Sequence, residues 1–213
     1  MNYGTLLREM LIGTGLTLEL FFLTILFALP LGMILCMGRM SKYKIISLPV
    51  RFYLLIMRGT PLMLQLMFVF FGLKPMIGIQ LQRFPAAVVA FVLNYAAYFA
   101  EIFRGGMESI PVGQYEAAKV LGYTRGQTFF KIVLPQVVKR IMPPMGNEFI
   151  TLVKDTSLAQ VISVVELMKV TKDFANSATS FTPFIIAGVF YLIMNAVVSK
   201  GFSVAEKKLS DYR

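Results

Sequence analysis

The sequence has no histidine and a single cysteine, Cys36, and only 15% of its 213 residues are charged. Histidine is the commonest side chain in metal sites and in acid–base catalysis near neutral pH, so its absence argues against both kinds of chemistry. Cys36 lies alone in an apolar stretch and offers neither a disulfide nor a metal site. The phosphate-binding pattern G-x-x-x-x-G-K-[ST] is also missing, so we expect no metal and no nucleotide cofactor in this chain.

Apolar residues, by contrast, make up 57% of the chain, and the mean hydropathy is +0.70, well above the values typical of soluble domains. They gather into runs near the ~20 residues with which a helix crosses a bilayer. Five such runs cover residues 11–37, 59–73, 85–103, 141–165 and 174–199. The second is short and is expected to extend beyond these limits, and the fourth is interrupted by charges. The sequence therefore predicts an all-α integral membrane protein with five transmembrane helices and one domain over residues 1–213.

The net charge of +10 raises the question of a nucleic-acid partner. Fifteen of the 21 lysines and arginines lie in residues 38–58, in residues 104–140 and in the tail after the fifth run. These three segments alternate with the remaining connections, as the positive-inside rule predicts for an odd number of spans. We therefore expect the N-terminus outside and the C-terminus in the cytoplasm, and no nucleic-acid binding.

The longest hydrophilic connection, residues 104–140, includes SIPVGQYEAAKVLGYTRGQTFFKIVLPQ. A short helix is predicted over residues 114–121, ended by Gly122, because glycine readily takes the positive φ found just past a helix end. Thr124 and Gln127 have the spacing of a capping box, which indicates a second helix. Pro135 is expected to kink or restart the chain as it re-enters the bilayer.

The first of these helices is too short to be stable alone in water, so it is expected to rest against another surface. Ala117 and Ala118 allow close approach, and Glu116 is free to accept a hydrogen bond or pair with a basic group. The spacing leaves two interpretations open: a docking element, or an amphipathic helix lying on the membrane. The candidate docking residues are Gln114, Glu116, Ala117, Ala118 and Gly122.

The spacing from Glu116-Ala117-Ala118 through Gly122 to Ile132 and Leu134-Pro135 resembles, without a gap, the EAA motif of ABC-importer permeases. Residues 58–62 with Gln65, residues 96–105 and residues 144–158 are similar to segments of the branch that takes up polar amino acids. This resemblance implies the type I (MetI-like) permease fold in a bacterial cytoplasmic membrane. It also implies that residues 104–140 form a cytoplasmic coupling loop, which docks on a separate ATPase that binds the ATP and Mg.

Further partners follow from the same resemblance: a second permease subunit, two ATPases and an extracytoplasmic solute-binding protein. Whether the two permeases are identical, and which amino acid is carried, stay open. Three other functions remain as alternatives: uptake of another small solute by the same kind of importer, a passive channel, and a membrane enzyme. A channel has no use for a docking helix, and the sequence shows no catalytic constellation. The chain is therefore expected to be non-catalytic.

Polar groups inside a bilayer are costly and usually face the interior of a bundle. A zwitterionic amino acid needs an acceptor for its ammonium group and donors for its carboxylate. The candidates for a substrate pathway are Gln65, Asn94, Glu101, Asn147, Glu148, Lys154, Asp155 and Thr156.

Structural alternatives exist for several of these candidates. Glu101 has the spacing for an ion pair with Arg104 on the same helix, and Gln65 can hydrogen-bond a neighbouring helix. Lys154 and Asp155 are adjacent and point in different directions, so each needs its own partner. Both could instead stabilise a dimer or a broken helix.

Overall fold

The protein is a bundle of helices in a computed structural model, which describes residues 3–210. Ten α-helices occur in this range, joined in places by π and 3-10 turns. They are α1 (Tyr3–Arg39), α2 (Lys44–Gly59), α3 (Leu62–Met67), α4 (Leu73–Ile77), α5 (Arg83–Glu108), α6 (Val112–Val120), α7 (Arg125–Thr128), α8 (Leu134–Asp155), α9 (Leu167–Ala178) and α10 (Thr182–Ser210). A π-helical turn, Phe68–Gly72, joins α3 to α4, and a second, Phe129–Val133, joins α7 to α8.

Three helices in the described range, α1, α5 and α10, are long and apolar enough to cross a membrane. They contain most of the first, third and fifth apolar runs. The α2 helix and the α3–α4 segment pass the same test together but are bent by 108°. The fourth run falls on α8 and the 3-10 segment Thr156–Ile162 that follows it. The α8 helix carries several charges and does not pass the test.

The limits of the later spans differ from those that hydropathy indicated. Residues 174–178 belong to α9, and the last long helix begins only at Thr182. The chain turns at Thr179, which has a φ of 47°. Hydropathy alone could not place this turn because residues 176–180 are polar or small but uncharged, so they lower the hydropathy of the run without ending it. The helical segment of the second run continues past Lys74 to Ile77, as a run that short was expected to extend beyond its limits.

The bend between α2 and α3 follows from Pro61. Proline disfavours helical backbone in the residue before it, and Thr60 accordingly has φ −120° and ψ 148°. The Gln65 side chain spans the break, since its Nε2 donates to the carbonyl of Met57 at 3.0 Å and to Thr60 Oγ1 at 2.8 Å. The break is therefore hydrogen-bonded from within and keeps a defined shape.

The centre of the bundle is α5, which packs along most of α1 and also contacts α8. Its buried face is rich in alanine: Ala86, Ala87, Ala90, Ala96, Ala97 and Ala100. Small residues let membrane helices approach closely. Gly32 on α1 continues this close contact, because a Cβ built there would lie 2.9 Å from the Cβ of Phe99.

The loop between α5 and α8 folds as the sequence predicts. The α6 helix ends before Gly122, whose φ is 78°. Thr124 and Gln127 form both hydrogen bonds of the capping box that begins α7. Pro135 lies in the first turn of α8, where a helix tolerates proline. Both flanking helices reach further into residues 104–140 than hydropathy indicated, which leaves a short hairpin of α6 and α7 between them.

Candidate functional site

The α8 helix presents a polar stripe within the bundle. Glu148, Thr151 and Asp155 follow each other at intervals of three and four residues, which places them on one side of the helix. All three are partly exposed, whereas Val153, which points away from the stripe, and Leu152, at its edge, are buried. The stripe therefore faces an opening rather than the packed core.

This opening is a cavity of about 300 Å³ between α8, α5 and the break after α2. Its walls combine carboxylates, hydroxyls, an amide and two aromatic rings. The lining residues are Thr60, Pro61, Leu62, Asn94, Tyr95, Tyr98, Glu148, Thr151, Asp155 and Leu158. A cavity of this size suits a small solute with polar groups at more than one end.

Among the described residues, few hydrogen-bond donors and no ion-paired cation balance the negative charge of the two carboxylates in the cavity, Glu148 and Asp155. The Tyr95 hydroxyl donates to Oδ2 of Asp155 at 2.8 Å. Within residues 3–210, neither Glu148 nor Asp155 lies in an ion pair of 4.0 Å or less. Two carboxylates without paired cations create a negative potential, which favours a cationic group between them.

The amides of Asn94 and Gln65 shape the same cavity. Asn94 Nδ2 donates to the Met57 carbonyl at 2.9 Å and to Gln65 Oε1 at 3.0 Å. Both donor hydrogens of Asn94 are thus used in holding α5 against the break, and Gln65 lies behind the cavity wall. The interpretation of Gln65 as a residue that hydrogen-bonds neighbouring helices agrees with these contacts.

The eight candidate pathway residues separate into groups. Asn94, Glu148 and Asp155 meet in the cavity, and Gln65 supports it. Thr156 is fully buried and its hydroxyl donates to the Val153 carbonyl at 2.7 Å. Lys154 is exposed on α8, and Asn147 lines a different, shallow depression against α10.

Glu101 is also separate from the cavity. It forms an ion pair with Arg104 at 2.6 Å, as its spacing in the sequence allowed, and it lies 3.6 Å from Arg39 and 3.5 Å from Arg58. Three helices are joined by these contacts. We refer to Arg39, Arg51, Arg58, Glu101 and Arg104 as the arginine cluster.

Sequence reasoning missed the aromatic wall and Thr151. Tyr98 follows Asn94 by four residues, and Thr151 lies between Glu148 and Asp155 at helical spacing, so both could have been found by extending the polar stripe. Tyr95 gives no such signal, because a tyrosine that is 2% exposed on an apolar helix is indistinguishable in sequence from a core residue.

The hairpin of α6 and α7 forms the second candidate site. Most of its side chains are exposed, including Gln114, Glu116 and Ala117. Large apolar side chains are exposed here as well: Val112 at 70%, Val120 at 86% and Leu121 at 72%, followed by Phe130 at 67% in the π-helical turn after α7. Ala118, by contrast, is 1% exposed and packs inside the hairpin. The protruding surface of the hairpin is therefore formed by the exposed residues around Ala118 and not by Ala118 itself.

Comparison with known proteins gives consistent matches along the chain. A family described as "Binding-protein-dependent transport system inner membrane component" matches residues 28–210. The arginine transport system permease protein ArtQ of Bacillus subtilis is 37% identical over 200 residues, covering 92% of this chain and 90% of that protein. The L-cystine transport system permease protein TcyB of Bacillus subtilis is 38% identical over 202 residues, covering 94% and 86%.

Solved structures agree with these sequence relatives. An amino acid ABC transporter crystallised with histidines has a chain that is 33% identical, with a TM-score of 0.87 and 94% coverage of both chains. The methionine ABC transporter MetNI matches with a TM-score of 0.72 at 19% identity, covering 96% of this chain and 95% of that one. The second match supports the fold alone.

Proposed function

Since this chain belongs to the family of binding-protein-dependent transport system inner membrane components, we propose that it is the permease subunit of an ABC importer that takes up polar amino acids. It is a multi-pass protein of the bacterial cytoplasmic membrane. The observation that carries the choice of substrate is the cavity with two unpaired carboxylates, Glu148 and Asp155. Relatives named for arginine and cystine transport support the same class of solute.

In this proposal the ammonium group of the amino acid lies between Glu148 and Asp155. Carboxylate oxygens accept hydrogen bonds from an ammonium group more strongly than neutral acceptors do. The partly exposed ring of Tyr98 provides a face against which a cationic or planar side chain packs. Asn94 contributes by holding the wall in place, since both of its amide hydrogens are already donated.

The membrane arrangement has five spans, with α8 and the 3-10 segment Thr156–Ile162 forming the fourth. The carboxylates of Glu148 and Asp155 in this span are tolerated because they line a polar cavity instead of facing lipid. The N-terminus lies outside, and the α6–α7 hairpin and the C-terminus lie in the cytoplasm. The surplus of lysine and arginine in residues 38–58 and 104–140 supports this orientation.

Energy for transport comes from separate ATPase subunits, on which the α6–α7 hairpin docks. The exposed apolar side chains Val112, Val120 and Leu121 suit burial in a groove of such a partner. A second permease subunit and an extracytoplasmic solute-binding protein complete the importer. Closure of the ATPases around ATP would move the hairpin as a rigid lever, so that the bundle alternates between two packings.

Uptake by proteoliposomes containing the assembled importer, ATP and binding protein tests the proposal. Glu148→Gln removes one cavity charge at constant shape, and we expect uptake at subsaturating amino acid to fall by about tenfold or more. Glu19→Gln on α1 is the matched control, because Glu19 is exposed and does not line the cavity. Equal uptake by both variants, or ATP-independent uptake by the wild type, would refute the proposal.

A further inference from the structure

The α2 helix presents three different faces. Lys44, Arg51 and Arg58 are seven residues apart, close to two helical turns, and form one exposed basic stripe. The buried face, with Ser47 and Leu54, borders this stripe on one side. On the other side lies an apolar face that is exposed: Ile45, Leu48, Phe52, Leu55 and Ile56.

A cavity of about 370 Å³ opens beside the basic stripe, separate from the cavity on α8. Arginines form much of its wall, and Leu55, which is 69% exposed, lies at its edge with the apolar face of α2. The lining residues are Arg39, Arg51, Leu54, Leu55, Arg58, Gly59 and Glu101. The cavity thus joins a cationic interior to an apolar outer surface.

Positive charge exceeds negative charge in the arginine cluster. Glu101 is approached by Arg39, Arg58 and Arg104, and Arg104 also pairs with Glu108. Arg51 forms no ion pair or hydrogen bond with any residue in the described part of the chain. Four guanidinium groups therefore face two carboxylates, and at least one guanidinium is available to an external anion.

We propose that this cavity binds the headgroup of an anionic phospholipid, with the phosphate at Arg51 and an acyl chain along Leu55 and Phe52. The guanidinium group pairs with phosphate oxygens through two parallel hydrogen bonds, which makes arginine well suited to this ligand. A basic stripe next to an exposed apolar face is also the pattern by which interfacial helices hold anionic lipids.

The position of the cavity agrees with this occupant. Arg39 ends α1, and Arg104 lies in the last turns of α5, shortly before the α6–α7 hairpin. Basic residues at the ends of membrane helices lie at headgroup depth. With the orientation proposed above, the lipid belongs to the cytoplasmic leaflet. The site does not depend on which solute the importer carries.

The test uses the full chain, purified with its co-expressed partner subunits, in nanodiscs of phosphatidylglycerol and phosphatidylcholine. Native mass spectrometry then measures which lipid is retained. We expect phosphatidylglycerol to be retained selectively and its apparent affinity to fall about fivefold in Arg51→Gln, as expected for one basic residue at an anionic lipid. Arg51→Lys keeps the charge and should lose less than half of that effect.

Lys44→Gln is the matched control, since it removes the same charge from the same stripe outside the cavity. Its effect should stay within about twofold, because screening weakens more distant charges. Thermal midpoints of all variants show whether the fold is intact. Equal losses of phosphatidylglycerol affinity in Arg51→Gln and Lys44→Gln would overturn the proposal. Retention of phosphatidylcholine alone, or displacement of the lipid by inorganic phosphate, would also overturn it. So would a partner subunit of the importer that covers Arg51.

Discussion

Tyr95 on α5 and Asp155, the last residue of α8, are joined by a hydrogen bond of 2.8 Å from the tyrosine hydroxyl to Oδ2 of the carboxylate. The bond fixes the carboxylate at the point where α8 gives way to a 3-10 turn. Tyr95 is 2% exposed and is held among aromatic neighbours on the same helix, so it provides a rigid support. Asp155 is therefore held in a fixed position at the wall of the cavity.

Replacing Asp155 by asparagine keeps this support and removes the charge. A hydrogen bond to a charged group is worth about 2 kcal/mol, so we expect the apparent affinity of transport for the amino acid to weaken roughly 30-fold. Tyr95→Phe removes the support and keeps the charge. We expect it to weaken the apparent affinity only about threefold, one tenth of the change in Asp155→Asn. Concentration-dependent uptake measures both. A larger defect in Tyr95→Phe than in Asp155→Asn would mean that Asp155 acts by holding the helices together.

Close packing of α1 against α5 depends on Gly32. A methyl group at this position would lie 2.9 Å from the Cβ of Phe99 and 3.1 Å from the Ala96 carbonyl oxygen, so one helix would have to shift. We expect Gly32→Ala to destabilise the protein by about 1–3 kcal/mol. Gly15→Ala in the same helix meets no atom within 4 Å and is the matched control. Thermal unfolding in detergent compares them, and equal midpoints would show that α1 adapts without cost.

Glu166 is a fully buried carboxylate between the 3-10 segment and α9. Its oxygens accept hydrogen bonds from the backbone amides of Met168 at 2.7 Å and Lys169 at 2.8 Å, and from the Tyr191 hydroxyl at 3.2 Å. Burial nevertheless outweighs these donors and the nearby charge of Lys172, and raises the pKa of Glu166 from its ordinary 4.5 to about 7.

A raised pKa predicts how stability changes with pH. The folded protein holds the Glu166 proton more tightly than the unfolded chain does, so this contribution is fully present below pH 4.5 and is lost as the pH rises through about 7. We expect the ionisation of Glu166 to lower the thermal midpoint of the wild type by several degrees between pH 5 and pH 8. Glu166→Gln, which cannot ionise, should fall less over the same range. Parallel curves for the two proteins would contradict the assignment.

Much of the architecture follows from the sequence because membrane helices and helix ends have local signals. Apolar runs indicated α1, α5 and α10, and the turn chemistry of Gly122, Thr124 and Gln127 predicted the α6–α7 hairpin in detail. Residues 141–165 and 174–199 were harder. Their breaks at Asp155 and Thr179 occur within stretches of mixed or apolar composition, where hydropathy carries no information on backbone direction.

The candidate site depends on contacts between distant segments, which sequence spacing cannot reveal. Polarity within the bilayer selected Asn94, Glu148 and Asp155, and the structure brings these three residues together at one cavity. The same criterion selected Glu101, which lies in the arginine cluster, and gave no indication of Glu166, which follows an apolar run and appears there as its polar boundary. Whether a buried carboxylate caps a helix, pairs with arginine or faces a cavity is decided by packing.

The corner of the hairpin permits a test of the proposed coupling between the hairpin and the ATPase. Gly122 has a φ of 78°, a backbone region where a side chain costs about 1–2 kcal/mol, so Gly122→Ala should distort the corner between α6 and α7. Gly126, four residues later in α7, has open space at its Cβ position and is the matched control.

We expect Gly122→Ala to lower uptake several-fold while ATP hydrolysis continues, because the hairpin still docks but no longer moves as one body. Gly126→Ala should keep the wild-type ratio of solute moved to ATP consumed. A proportional loss of uptake and hydrolysis in Gly122→Ala would instead show that the corner governs docking. Wild-type rates of both uptake and hydrolysis in Gly122→Ala would show that the lever does not require this turn.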